Sequence, residues 1–204
     1  GAGWCDMARI KICGLMRMED VEAVNLYRPD YVGFIFAPSR RRITAGMAEN
    51  MARRLDDGIQ RVGVFVDENR EKIAKITESG IINVVQLHGH ESDDDVTWLA
   101  KRTGVPIIKS VSVRTSDDID RYRHNPADYL LWDNGAGGSG EQFDWTHVHD
   151  VGRDFFIAGG IDISNIEEAL KFNPYCVDVS SGVETDGYKD PDKIHKIIDI
   201  VRRK

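Results

Sequence analysis

A cysteine and an aspartate are the residues of this sequence best placed to carry out acid–base chemistry. Cys13 ends the β-branched run Arg9–Cys13, and the glycine that follows it lets a ligand approach the backbone closely. Asp133 ends the apolar run Tyr129–Trp132 and precedes a glycine-rich loop. A thiolate can take a proton from carbon, and a partly desolvated carboxyl group can donate one near neutral pH. The pair therefore suits an isomerisation that moves a proton from carbon while a sugar ring opens, and that needs no metal.

Both residues also have ordinary structural explanations. Free cysteine is among the most buried residue types, so Cys13 alone is typical of a core position. Aspartate is favoured in turns and caps, which would account for Asp133 without any chemistry. The two side chains can act together only if the fold brings the ends of their strands to the same place.

Strand and helix patterns alternate along the chain, and they predict the fold. Eight short apolar runs are each followed by a segment with helical spacing, at intervals of about 21 to 30 residues. The predicted strands begin at Arg9, Tyr31, Arg61, Val84, Pro106, Tyr129, Phe155 and Cys176. Eight such units predict an α/β protein with a single-domain (β/α)8 barrel, whereas a doubly wound open sheet normally has fewer strands. Thr44 and Ser164 are predicted helix N-caps, and Pro191 marks the start of the last helix.

Two loops rich in small residues follow the last two predicted strands. Gly159 and Gly160 follow the seventh strand, and Ser180–Gly182 follow the eighth. In a (β/α)8 barrel, loops at these positions commonly bind phosphate through backbone N–H groups. Glycine is needed where a Cβ would hold the backbone away from the phosphate oxygens. The sequence therefore predicts a phosphorylated small molecule as substrate.

Charged residues suggest one binding contact and one buried pair. Arg40, Arg41 and Arg42 form a basic loop, which is usually solvated, yet an arginine at a pocket rim can bind a carboxylate with two hydrogen bonds. Lys11 and Asp178 each lie two residues before a predicted site residue and share its face of the strand. Because buried charges need partners, we expect Lys11 to contact a carboxylate inside the barrel.

Two pairs of histidines have the spacing of half a metal site. They are His88-x-His90 and His147-x-His149, and neither is accompanied by a convincing set of further ligands. We therefore expect no metal.

Composition excludes several classes of function. The 204 residues carry a net charge of −7, which argues against a nucleic-acid-binding or membrane-surface protein. Three cysteines with no CxxC pair, and no secretory signal, favour a reducing cytoplasm. No apolar run approaches the roughly 18 residues that a membrane helix needs. We expect residues 1–8 to form a short leader and residues 9–204 to form the catalytic barrel.

The chain resembles the phosphoribosylanthranilate isomerase family over nearly its whole length. The matching runs in the first half are Lys11-Ile12-Cys13-Gly14, Gly33-Phe34-Ile35-Phe36, Ser39-Arg40-Arg41, Val62-Gly63-Val64-Phe65 and Gln86-Leu87-His88-Gly89. Those in the second half are Leu130-Leu131-Trp132-Asp133, Gly137-Gly138-Ser139-Gly140, Phe143-Asp144-Trp145, Ala158-Gly159-Gly160 and Val177-Asp178-Val179-Ser180-Ser181-Gly182-Val183-Glu184. So many matches in the same order make the resemblance highly specific.

The resemblance implies an Amadori rearrangement of N-(5-phosphoribosyl)anthranilate to the 1-deoxyribulose phosphate product, a cofactor-free step of tryptophan biosynthesis. In that family, the residue that matches Cys13 is the general base at C2′, and the one that matches Asp133 is the general acid at the furanose ring oxygen. Arg41 is implied as the ligand of the anthranilate carboxylate, with the adjacent Arg42 as the alternative. The other implied substrate contacts are Gln86, His88, Gly138, Gly159, Gly160, Asp178, Ser180, Ser181 and Gly182. We expect a monomer or homodimer.

The sequence departs from the family at two points, and it has two rival interpretations. Trp132 stands where many members have a smaller residue, and the segment between Asp133 and Gly137 is shorter than in some members. The sister isomerase of histidine biosynthesis has an aspartate base on its first strand, so Cys13 argues against that activity. A barrel that only binds a phosphorylated metabolite would not need an acid–base pair.

Overall fold

Eight parallel strands form a closed barrel, in chain order, with β8 paired to β1. The structure, a computed structural model, describes residues 7–133, 145–148 and 151–203. The strands of the barrel are β1 (Arg9–Cys13), β2 (Tyr31–Ile35), β3 (Gln60–Phe65), β4 (Val84–Leu87), β5 (Ile107–Ser112), β6 (Tyr129–Asp133), β7 (Phe155–Ile157) and β8 (Cys176–Val179). The predicted (β/α)8 barrel is confirmed, and the open sheet is excluded by the closure between β8 and β1.

Among the described residues, α-helices follow seven of the eight strands and cover the outside of the barrel, and a 3-10 turn (Trp145–His147) lies between β6 and β7. The α-helices are α1 (Met18–Tyr27), α2 (Ala45–Arg54), α3 (Arg70–Glu78), α4 (Asp93–Thr103), α5 (Ser116–Tyr122), α6 (Ile166–Leu170) and α7 (Pro191–Arg202). A short antiparallel hairpin, β9 (Glu184–Thr185) and β10 (Tyr188–Lys189), separates β8 from α7. In the part of the chain that the structure describes, no helix is long and apolar enough to cross a membrane. The predicted leader, residues 1–8, falls mostly on residues 1–6, which lie outside the described residues.

The predicted helix starts are correct at two of three places. The Thr44 hydroxyl accepts a hydrogen bond from the backbone N–H three residues later, and α7 begins at Pro191. The prediction that Ser164 caps a helix is wrong. Its hydroxyl donates to the Asp162 carboxylate, and the Asp162 carbonyl closes the first turn before α6. Asp162 was the stronger local acceptor because a carboxylate binds two donors at once.

Side chains on alternate strand positions separate into an inner and an outer core. The inner cluster consists of Cys13, Tyr31, Val62, Val64, Val84, Ile108, Leu131, Phe156, Ala158 and Cys176. The outer cluster lies between the strands and the helices, and it includes the fully buried Trp132. Trp132 packs on the helix side of β6, so its large side chain takes no space inside the barrel. The next residue, Asp133, lies on the opposite face of the strand and is directed into the barrel.

Aromatic side chains fill the amino-terminal end of the barrel. The hydroxyl oxygens of Tyr31 and Tyr175 are 2.7 Å apart, and the stacked rings of Tyr129 and Tyr175 have centroids 4.6 Å apart. The Tyr129 and Phe156 rings make a T-shaped contact, and the Arg9 guanidinium lies 4.4 Å from the Tyr175 ring centroid. In the described part of the chain, these side chains occupy the amino-terminal end of the barrel interior, which leaves the carboxyl ends of the strands to receive a ligand.

Gly33 on β2 makes room for Cys13 on β1, which is its direct partner in the strand register. A Cβ built on Gly33 would lie 2.6 Å from the Cys13 Sγ and 3.3 Å from the Cys13 Cβ. Any side chain at position 33 would therefore displace the thiol. The thiol and the glycine form one steric unit.

We expect Gly33→Ala to lower the free energy of unfolding by about 1–3 kcal/mol, the usual cost of overpacking a core. In a Cys13→Ala background the same substitution should cost clearly less, because the Sγ that it collides with is gone. Urea unfolding of the four proteins of this double-mutant cycle measures the difference. Gly46→Ala is the control, since a Cβ on that helical glycine would have its nearest neighbour at 4.0 Å. An equal loss in both backgrounds would contradict the steric pairing.

Candidate active site

Inward side chains at the carboxyl ends of the strands form two polar layers. The lower layer comes from residues two positions before those of the upper layer on β1, β4 and β8, so both layers lie on the same face of each of these strands. The upper layer consists of Cys13, His88, Asp133 and Ser180, and the lower layer consists of Lys11, Gln86 and Asp178. The fold therefore brings the predicted acid and base to the same end of the barrel.

Lys11 is a fully buried cation at the centre of the lower layer. Its Nζ donates to Gln86 Oε1 at 2.8 Å and to Asp178 Oδ2 at 3.0 Å, which is the lysine–carboxylate contact expected from the sequence. Burial alone would lower the pKa of Lys11, but Asp178 and Cys13 raise it above its usual range, so the ammonium stays charged. The other oxygen of Asp178, Oδ1, is buried and accepts no hydrogen bond from the residues that the structure describes. This oxygen is a buried acceptor available to a ligand.

Cys13 lies at the end of β1 with 7% of its surface exposed. Burial raises the pKa of its thiol, and the opposing positive charges of Lys11 and Lys189 only partly offset that rise. The thiol is therefore mainly protonated at neutral pH, and the thiolate that forms from it is a strong base. The Ser180 hydroxyl donates to the Cys13 carbonyl at 3.1 Å and ties the end of β1 to the loop after β8.

His88 and Asp133 face each other across the top of the barrel. His88 Nε2 lies 3.6 Å from Asp133 Oδ2, and the Asp133 side chain is 15% exposed. On its other side, His88 Nδ1 lies 3.1 Å from the Gln86 amide nitrogen. Burial lowers the pKa of His88, although the negative charge of Asp133 acts in the opposite direction. The imidazole beside Asp133 is therefore neutral at physiological pH.

An open cavity of about 680 Å³ adjoins this pair on the side of β4 to β6. Its lining is polar and includes His88, Lys109, Arg114 and Asp133. Lys109 is itself buried, and its Nζ donates to the Glu91 carboxylate at 2.9 Å. The cavity gives Asp133 contact with space large enough for a small molecule.

The adjacent arginines Arg41 and Arg42 point in different directions. The Arg41 guanidinium makes two hydrogen bonds to Glu184, from Nε to Oε2 at 2.8 Å and from Nη2 to Oε1 at 2.7 Å. Its side chain crosses Gly14, where a Cβ would lie 2.6 Å from Arg41 Cδ and where φ is +90°. Arg42 lines a separate groove between α2 and α3, together with Phe65. Only Arg41 is directed toward Cys13.

Glu184 is the centre of an ion-pair network that sequence reasoning missed. Besides Arg41, its carboxylate accepts from Arg40 Nη2 at 2.9 Å and from Lys189 Nζ at 2.8 Å, and its carbonyl accepts from Lys193 Nζ at 2.7 Å. Burial tends to raise the pKa of Glu184, but its hydrogen bonds and ion pairs with Arg41 and Lys189 lower it to about 2. The sequence held one indication of this network: the acidic Glu184 follows the loop after β8, and the basic loop Arg40–Arg42 offers cations with which it could pair.

The two loops expected to bind phosphate lie against each other. Gly159 and Gly160 have φ values of +107° and +73°, a backbone that other residues rarely adopt. A Cβ on Gly182 would collide with the carbonyl oxygen of Ile161, so the loop after β8 packs directly on the loop after β7. Ser181 begins a short 3-10 turn in this second loop. Gly138 belongs to residues 134–144, outside the described residues.

The histidine pairs do not form metal sites in the part of the chain that the structure describes. His88 faces Asp133, whereas His90 faces outward and lies 3.3 Å from the Asp67 carboxylate. Within the described ranges, no group of three or more histidine, cysteine or carboxylate side chains is arranged to hold a metal ion. His149 lies outside the described residues.

Comparisons with known proteins show which family this chain resembles over nearly its whole length. The family model described as N-(5'-phosphoribosyl)anthranilate (PRA) isomerase matches residues 10–200. Two curated proteins named N-(5'-phosphoribosyl)anthranilate isomerase are similar to this chain. The one from Clostridium acetobutylicum is 40% identical, and the match covers 97% of this chain and 99% of that protein. The one from Endomicrobium trichonymphae is 44% identical, and the match covers 96% of this chain and 99% of that protein.

A solved structure is similar over the same length. It is a phosphoribosyl anthranilate isomerase in complex with reduced 1-(o-carboxyphenylamino)-1-deoxyribulose 5-phosphate. The two chains are 35% identical, with a TM-score of 0.85 over 96% of this chain and 99% of the other. The barrel and its connections therefore match those of an enzyme crystallised with a sugar phosphate.

We expect Glu184→Gln to destabilise the protein at pH 7 and to flatten the acid side of its stability profile. The folded-state pKa of Glu184 is about 2, below its ordinary value of 4.5. Its stabilising effect is therefore complete above about pH 4.5 and is lost as the pH falls toward 2. Urea unfolding between pH 7 and pH 3 measures the effect. Glu49→Gln, which removes an exposed pair with Arg53, is the matched control and should change little.

Proposed function

The chain belongs to the N-(5'-phosphoribosyl)anthranilate isomerase family of tryptophan biosynthesis, and from that premise we propose that Cys13 and Asp133 carry out its reaction as general base and general acid. The substrate is N-(5'-phosphoribosyl)anthranilate, and the product is 1-(2-carboxyphenylamino)-1-deoxyribulose 5-phosphate. The observation that carries the proposal is the position of a buried thiol on β1 and a carboxyl group on β6 around one opening of the barrel.

The reaction needs one proton donor and one proton acceptor on opposite sides of the sugar. Asp133 gives its proton to the furanose ring oxygen as the ring C–O bond breaks, and the amine nitrogen lone pair forms a C=N bond. The Cys13 thiolate then takes the proton from C2′, and the electrons of that C–H bond form a C=C bond while the nitrogen regains its lone pair. The resulting enolamine tautomerises to the ketone. The conversion proceeds by proton transfers with no net oxidation or reduction of the substrate, so it needs no external oxidant or reductant.

The loops after β7 and β8 form the proposed phosphate site. Gly159 and Gly160 turn the first loop, and Gly182 lets the second pack on it without a side chain between them. Further proposed contacts are Ser180, Ser181 and Gly138, the last of which lies outside the described residues. A phosphate held here anchors the end of the sugar that does not react.

Asp178 and Arg41 are proposed to hold the rest of the substrate. The buried Asp178 Oδ1 is suited to accept a hydrogen bond from a sugar hydroxyl. Arg41 uses only Nε and Nη2 to bind Glu184, so its remaining N–H groups can donate to the anthranilate carboxylate. Glu184 keeps the guanidinium in place before the substrate arrives.

His88 and Gln86 are proposed to act beside the ring oxygen. His88 lies at the rim, where it can contact the sugar next to Asp133. Gln86 is 2% exposed and both ends of its amide are already bonded, to Lys11 and to His88. Its effect on the substrate is therefore transmitted through His88.

We propose that the protein works in the reducing cytoplasm as a monomer or homodimer. A general base that is a thiol requires a compartment where cysteine stays reduced, and both described cysteines, Cys13 and Cys176, are free. Light scattering during gel filtration measures which of the two oligomeric states holds.

Replacing either catalytic group should lower kcat about a hundredfold or more and leave KM nearly unchanged, because acid and base act mainly in the transition state. The variants are Cys13→Ala and Asp133→Asn, assayed by the fluorescence change of freshly prepared phosphoribosylanthranilate in the presence of a chelator. Because the reaction needs the Cys13 thiolate and a protonated Asp133 together, the wild-type kcat/KM should have a bell-shaped pH profile with one limb at the raised pKa of the Cys13 thiol. Cys176→Ala, a buried cysteine of the inner core, is the control.

Near-normal turnover by Cys13→Ala would remove the general base from this account. Absence of wild-type turnover would direct attention to the histidine-pathway substrate, and then to a barrel that only binds a phosphorylated metabolite.

Arg41→Ala should raise KM about tenfold or more with a smaller change in kcat, because the arginine binds a part of the substrate that does not react. Arg42→Ala is the matched control, and it should leave KM unchanged because its side chain lies in the separate groove between α2 and α3. Steady-state kinetics on both variants gives the comparison. A larger KM effect at Arg42 would show that the carboxylate binds on the other side of the loop.

A further inference from the structure

A continuous chain of hydrogen-bonding groups crosses the barrel from Asp178 to Asp133. Asp178 binds Lys11, Lys11 binds Gln86, and Gln86 lies against His88, whose far nitrogen faces Asp133. The donors and acceptors in this chain are not interchangeable, and their order determines where the proton of His88 lies.

The order starts from Lys11, because an ammonium group can only donate hydrogen bonds. The Gln86 atom 2.8 Å from Lys11 Nζ must therefore be the amide oxygen. That assignment turns the amide nitrogen of Gln86, which can only donate, toward His88 Nδ1 at 3.1 Å. Nδ1 must then accept, so it carries no proton. The proton of the neutral imidazole is on Nε2, the nitrogen 3.6 Å from Asp133 Oδ2.

We propose that Lys11 and Gln86 are positioning residues that hold His88 as the neutral Nε2–H tautomer, so that its N–H is directed at the Asp133 carboxyl group. The inference rests on the proposed function, because it assigns a purpose to His88 only if Asp133 is the acid. It changes the part played by Gln86 from a substrate contact to the control of a neighbouring side chain.

The neutral tautomer suits a general acid better than either alternative. An imidazolium beside Asp133 would stabilise the carboxylate before the reaction and leave no proton to donate. A neutral imidazole with its proton on Nδ1 would present a lone pair to the carboxylate that forms when Asp133 gives its proton away. The Nε2–H tautomer avoids the first problem and supplies a hydrogen bond at the moment the carboxylate appears. The 3.6 Å separation is long for a hydrogen bond, as is common at catalytic sites without substrate.

Charges from four other strands face His88 and act in opposite directions on its pKa. Lys11 on β1 and Lys109 on β5 oppose its protonation, whereas Asp133 on β6 and Asp178 on β8 favour it. Burial also opposes protonation and is the largest influence, so the pKa of His88 is lowered. Burial therefore supports the same neutral state that the hydrogen-bond order requires.

Nitrogen-15 NMR of the histidine rings tests the tautomer directly in the whole protein. The signal of His88 is identified by its loss in His88→Asn. In the wild type, Nδ1 should resonate as an unprotonated ring nitrogen and Nε2 as a protonated one. A wild-type Nδ1 that carries a proton at neutral pH would overturn the proposal, and this readout does not depend on turnover.

Gln86→Glu reverses the order of donors with almost no change in shape. One carboxylate oxygen can still accept from Lys11, but the other now faces Nδ1 and requires a proton there. We expect Nδ1 to become protonated and kcat to fall about tenfold to a hundredfold, less than the loss of the acid itself, with KM nearly unchanged and a shifted pH profile. Gln86→Met is the second variant if the buried charge prevents folding, and it should lower kcat while both tautomers become visible.

His90→Asn is the matched control, because His90 lies on the same loop with its side chain exposed and paired to Asp67. It should leave both kcat and the His88 signals unchanged. A Gln86→Glu variant that raises KM, keeps kcat and leaves Nδ1 unprotonated would overturn the proposal in favour of a binding role. Full kcat in Asp133→Asn would instead refute the proposed function, and the NMR result would still decide the tautomer.

Discussion

A single buried cation, Lys11, determines how the polar centre of the barrel is organised. Removing an ammonium group from water costs several kcal/mol unless partners replace the lost hydration. Lys11 obtains those partners from Asp178 on β8 and Gln86 on β4, so three strands must keep their register for the charge to be tolerated. A slip of one residue in any of them would turn its side chain away from the others. The charge therefore enforces one arrangement of the strands that carry the site.

The structure divides the barrel into an apolar floor and a polar rim. Tyrosines and Phe156 fill the amino-terminal end, and the residues suited to chemistry lie at the carboxyl ends of the strands. Between the two, Lys11 is the first polar layer, and its field reaches Cys13 above it. The loops can therefore carry different substrate-binding residues, while the strands keep the charges at the centre of the barrel in fixed positions.

Much of this arrangement can be predicted from the alternation of side chains along the strands and from the repeated strand–helix pattern of the sequence. Alternation along β1 and β8 placed Lys11 opposite Asp178, and the eight strand runs predicted a barrel whose closure is now observed. Glu184 could not be predicted in its present role, because its partners come from a loop after β2 and a hairpin after β8, which no local pattern connects. Ser164 misled because its hydroxyl donates to the nearby Asp162 carboxylate, and α6 begins one residue later, with Asn165 at its N-cap position. Local patterns therefore predict the strands, whereas the long-range ion pairs can be identified only from the folded structure.

The network around Glu184 couples two loops that are distant in the sequence, so that they behave as one structural unit. Arg40 and Arg41 follow β2, while Glu184 and Lys189 belong to the β9–β10 hairpin, and the Glu184 carboxylate pairs with all three cations. A designer who grafts either loop onto another barrel would transplant a set of unmatched charges. The two loops must be moved together. An insertion that moved Arg40 and Arg41 away from the hairpin would remove two of the cations that Glu184 binds.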